Sequence, residues 1–128
     1  MSKIIESAGI LNATIDSSTI VQNSNTTNWE VLNSQISVVK TPMSAKIIPN
    51  VPNLVTVIAQ NNTNNPATDV SFVDDFDDSI DYVTDSATIN GVAVSGVTFA
   101  AGTLTIPIAN GIPANGTIII QYAIQSIL

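Results

Sequence analysis

Asp74, Asp75, Asp77, Asp78, Asp81 and Asp85 crowd one short stretch and form the densest group of ionisable side chains in the chain. Hard cations take several carboxylate and carbonyl oxygens from a single loop, so Asp74, Asp75, Asp77 and Asp78 are candidate calcium ligands. The spacing departs from an EF-hand loop, which carries glycine at its sixth position and glutamate at its twelfth. The competing reading is a solvated acidic loop between two strands. Paired carboxylates also serve glycoside hydrolysis, but these crowd one loop and do not face each other across a cleft. The chain has no histidine and no cysteine, so the commonest metal ligands and general bases are missing and no familiar nucleophile and base pair can be assembled. An enzyme is therefore not expected, and calcium is the one cofactor to consider. Trp29 is either a stacking platform for a sugar or, at the start of a strand, a core or interface anchor. The triplets Asn12-Ala13-Thr14 and Asn61-Asn62-Thr63 match glycosylation acceptors, a pattern that chance supplies in a chain so rich in Asn and Thr.

The elements that must position these residues are strands. From Leu54 to Gln125, Val, Ile and Thr alternate over short runs separated by Asn-Asn-Pro, Asn90-Gly91, Asn110-Gly111 and Asn115-Gly116, with no helical period. The pattern predicts an all-β sandwich of about seven strands, near residues 35–40, 54–60, 68–73, 82–89, 92–94, 102–108 and 117–126. Asn90-Gly91 is the strongest hairpin signal, since both residues tolerate the positive φ of a type I′ turn. Pro107 cannot donate to a ladder and is expected on an edge or at a bulge. Ahead of this module, residues 1–33 place Ile10, Leu11, Ile15, Ile20 and Val21 among Ser, Thr and Asn, a pattern able to form one or two strands. The Ser-Asn-Thr-Thr-Asn cluster at 24–28 then reads as a loop or hinge. The chain accordingly divides into an N-terminal extension, 1–33, and a sandwich, 34–128.

Four segments carry a family resemblance: ISVVKTP, TVIAQNNTNNPATDVSFVDD, DYVTDSATINGVAV and IPANGTIIIQYAIQ. In this order and spacing they resemble a DUF11-type repeat domain, an immunoglobulin-like module of bacterial and archaeal surface proteins. The sequence departs from that pattern after Asp74, where Asp75, Phe76 and Asp77 stand in place of the usual Leu-Pro, and it holds one copy of a module that usually comes in several. The resemblance implies a structural or adhesive module and places Lys40, Asn61 and Asp74 at the family's recurrent lysine, asparagine and aspartate positions. In some surface-fibre domains a buried lysine beside an amide and a carboxyl group forms an intramolecular Lys to Asn crosslink. There desolvation lowers the lysine pKa and the carboxyl group protonates the amide. The alternative at these positions is a plain ion pair between Lys40 and Asp74.

Composition bounds the remaining choices. The chain has 128 residues, 45% of them hydrophobic but only 10% charged, enough to bury one core without disulfides. Three lysines, no arginine and a net charge of −7 argue against nucleic acid and anionic membranes as partners. No apolar run is long enough to span a bilayer. The N-terminus lacks a basic leader and a cleavage site, so no secretory signal is expected. An apolar-patterned extension in front of a sandwich without chemistry suggests donor-strand polymerisation, in which the extension of one copy adds a strand to the next. Ile10, Leu11, Ile15, Ile20, Val21 and Trp29 are the expected assembly residues. The expectation is thus a homopolymer, helical or head-to-tail, forming an extracellular fibre or appendage on a cell or spore surface, with the host surface or other fibre subunits as further contacts. The alternatives are an adhesin or glycan-binding module and a viral or phage capsid decoration protein.

Overall fold

Alternating apolar and polar side chains give each strand one face for the core and one for solvent. In the computed structural model, which describes residues 9–15, 18–24, 35–42 and 47–127, that alternation builds eleven strands and no helix. In chain order they are β1 (Gly9–Ile15), β2 (Ser18–Asn23), β3 (Ile36–Pro42), β4 (Asn53–Asn61), β5 (Thr68–Asp75), β6 (Ile80–Tyr82), β7 (Thr88–Ile89), β8 (Val92–Ala93), β9 (Thr98–Ala100), β10 (Thr103–Ile108) and β11 (Thr117–Ser126). They form two antiparallel sheets packed as a sandwich, with no closed barrel. The first has the order β2-β1-β5-β10-β9. The second has the order β3-β4-β11-β7-β8, with β6 also paired to β11.

The strand count exceeds the seven expected from sequence for identifiable reasons. The run at 82–89 is cut in two because Asp85 adopts a left-handed φ of 64° and turns the chain between β6 and β7. The short β9 was not anticipated, and the extension adds the hairpin β1–β2. The hairpin at Asn90-Gly91 forms as expected, with φ of 51° and 82°. β9 covers only Thr103 to Thr105 of β10, so Pro107 falls where β10 is the sheet edge and its missing N–H costs no ladder bond.

The core lies between the sheets. Phe72, Leu104 and Ile106 of the first sheet face Val38, Val57, Ile120 and Tyr122 of the second, all fully buried. The described aromatic residues join in one chain of tilted contacts, Phe72–Tyr122–Phe76–Phe99–Tyr82, with ring centroids 5.8 to 6.3 Å apart. Tilted pairs at such distances add to the stability gained from burial alone.

Candidate functional site

The N-terminal extension occupies a defined seat. β1 pairs antiparallel with β5, so it is an interior strand of its sheet, with β2 outside it. Leu11, Ala13 and Ile15 alternate into the core and are buried. The register with β5 shifts between Asn12 and Thr14, where Asp69 at φ 53° supplies the extra residue of a bulge. At the start of β1, an added Cβ on Gly9 would run into the Phe72 ring, so glycine lets that ring pack against the backbone. Gly9 N–H donates to Ser24 Oγ at 2.6 Å, and Ser24 N–H returns a bond to the Gly9 carbonyl at 2.6 Å. These two bonds close the hairpin.

Of the expected assembly residues, Leu11 and Ile15 therefore face the core, and Ile20 packs against it. Ile10 is half-buried, while Val21 is 61% exposed. Trp29 lies outside the described residues. Donor-strand polymerisation, the expectation from sequence, leaves the extension without a partner inside its own module. Its pairing with β5 corrects that expectation: β5 offers a free ladder edge, and the buried side chains of β1 close the core over it.

The second cluster joins the sheets. Lys40 on β3 extends inward and places its Nζ 3.2 Å from both carboxylate oxygens of Asp74 on β5. Asp74 is 1% exposed and Lys40 12%. Tyr122 on β11 donates its hydroxyl proton to Asp74 Oδ2 at 2.5 Å. Burial pushes the Tyr122 phenol far above its ordinary pKa, reinforced by the Asp74 charge and by the hydrogen bond itself. A buried carboxylate needs such partners to offset its desolvation. The result is a latch between sheets, with Tyr122 as a permanent donor.

Asn61 does not join that latch. Lys40 stands opposite Val57 and Asn61 opposite Ile36, four residues further along β4, which is roughly 14 Å of strand. The Asn61 amide is also engaged elsewhere. Its Nδ2 donates to the carbonyls of Asn65 and Ile112, and its Oδ1 accepts from the Thr63 N–H and hydroxyl. The Asn61-Asn62-Thr63 triplet is thus a turn lock, with Asn61 0% exposed. The crosslink geometry is absent because β-pairing sets the two residues four positions apart along the ladder.

The candidate calcium set is dispersed as well. Asp74 points inward to the latch, Asp75 accepts from Thr103 Oγ1 at 2.6 Å, and Asp77 accepts from the Ser79 N–H and hydroxyl. Asp78 is exposed. Among the described residues no group of three or more His, Cys, Asp or Glu is placed to hold a metal ion. Alternation along β5 separates Asp74 from Asp75, and an Asx turn occupies Asp77.

A groove of about 680 Å³ opens where the β7–β8 hairpin faces the end of β10, lined by Ile89, Val92, Pro107, Ile108 and neutral neighbours. No ionisable side chain lines it among the described residues. No helix among them is long and apolar enough to cross a membrane. Tyr122 is the functional residue that sequence reasoning missed. Its signal was the inward parity of β11, shared with Ile118, Ile120 and Ile124, which obliges a buried hydroxyl to find a partner. Comparison with known proteins finds no family model, curated protein or solved structure that matches the chain.

Proposed function

We propose that this chain is a structural subunit of a self-assembling extracellular fibre, polymerised by passing the N-terminal hairpin of one copy into the seat of the next. One observation carries the reading. β1 completes the core as an interior strand, yet it belongs to a hairpin that precedes the other described strands and connects to them through residues 25–34. A hairpin linked to its sandwich by one such connection can be exchanged between identical chains, and exchange reproduces the contacts it makes at home. Ten residues reach at most about 35 Å, against a radius of gyration near 14 Å for a domain of this size, so a neighbour's seat is within reach. Exchange that is not reciprocal is heterologous and propagates as a filament.

The absence of histidine and cysteine and the neutral lining of the groove suit a structural role better than catalysis. The resemblance to DUF11-type modules of bacterial and archaeal surface proteins points the same way. Electron microscopy and size exclusion of the purified chain test the reading. Filaments that grow with concentration are expected, and a monodisperse monomer at every concentration contradicts it.

A further inference from the structure

The outer face of the second sheet carries an apolar row in register. Val39 stands opposite Ile58, and Ile58 opposite Ile119, so three aliphatic side chains on β3, β4 and β11 lie side by side across the sheet. All three are exposed, Ile58 by 45%. Leu54 extends the apolar surface along β4. The other outward positions of these three strands are Ser, Thr, Gln or Ala, and Gln121 bonds Thr56 across the ladder at 3.2 Å. None carries a charge. Lys40 has the opposite parity and points inward. The pairing places one acid on this face, Asp81 beside Gln125, at its rim.

A face that is uncharged at its centre among the described residues, on a chain of net charge −7, has a specific consequence for its partner. Two copies approaching through acid-bearing surfaces repel each other, whereas two copies meeting on this face bring no like charges together at its centre. A face of about five strand spacings by seven residues measures roughly 24 by 24 Å, or about 580 Å² before side-chain relief. That approaches the ~800 Å² per partner of a standard specific interface. We infer that the outer face of the second sheet is a self-association surface whose partner is the same face of a second copy, packed sheet on sheet about a two-fold axis. The Val39–Ile58–Ile119 row forms its apolar centre. The contact is independent of hairpin exchange: in a filament it would join strands laterally, and in isolated subunits it would give dimers.

Sedimentation velocity over a concentration series tests it, using the full chain with Asn12→Cys and Ser71→Cys oxidised and the monomeric-mass species isolated, so that hairpin exchange is blocked. The locked chain should dimerise. Ile58→Lys or Ile119→Lys should each weaken the dimer by roughly a hundredfold, because each buries two unpaired ammonium groups per contact, while Val92→Lys, exposed but off this face, leaves it unchanged. Circular dichroism confirms that each variant is folded. A locked chain that stays monomeric, or dimers that survive both face substitutions or are lost equally in the Val92 variant, would overturn the inference without touching the exchange proposal.

Discussion

At the scale of single residues, the Lys40–Asp74–Tyr122 latch dictates how the sandwich responds to pH. The Tyr122 phenol has a folded pKa raised above its ordinary 10.0. Its contribution is therefore fully present below that value and is lost as pH rises past it, because the unfolded chain releases a proton the folded chain retains. Thermal melts should show stability falling above about pH 10, and Tyr122→Phe should flatten that fall while costing about 1–3 kcal/mol at neutral pH by leaving Asp74 one donor short. A slope unchanged by the substitution would mean that another group governs alkaline unfolding. Asp74→Ala, which takes the shared carboxylate from both Lys40 and Tyr122 in a largely buried site, should cost about 3 kcal/mol or more. The intact mass should equal the sequence mass, with no ammonia lost, since Asn61 sits at the far end of the strand from Lys40. The resemblance made the Lys40–Asp74 pairing legible, since it implies both positions. It left Asn61 misplaced because a resemblance in sequence does not say how far along the ladder a residue lies from its neighbours.

At the scale of elements, the hairpin β1–β2 is the piece whose removal should matter most. The division into an extension, 1–33, and a sandwich, 34–128, implies that deleting residues 1–28 leaves a folded module. With Leu11, Ala13 and Ile15 in the core, it should instead expose Phe72 and its neighbours and yield an unstable, aggregation-prone domain. A synthetic peptide covering residues 9–24 should restore cooperative melting, and a truncated chain as stable as the intact one would refute the seat. Ile15→Asp should be severely destabilising, whereas Val21→Asp, on the outer strand, should be tolerated in stability and assembly alike. The main strands were legible because their apolar alternation is long and bounded by Asn, Gly and Pro. β9 was not, since three residues carry too little alternation to register. The strand character of the extension was also legible. Its docking against β5 was not, because a free edge is a property of the assembled sheet and not of any segment.

At the scale of the whole molecule, a net charge of −7 opposes the long-range approach of two copies. Raising salt from about 0.01 M to 0.15 M shortens the Debye length from ~30 Å to ~8 Å, so assembly should quicken over that range; assembly slowed by salt would point to attraction between opposite charges. The central claim is that the hairpin of one copy occupies the seat of another, and chain connectivity across the β1–β5 pair tests it most directly. Asn12 and Ser71 stand opposite each other in that pair, at a spacing that accommodates a disulfide, and the chain has no cysteine of its own. The variant carrying Asn12→Cys and Ser71→Cys, assembled under reducing conditions and then oxidised, should run on a non-reducing denaturing gel as a ladder of covalent multimers. Filaments that form normally yet yield a single band of monomer mass would contradict the account.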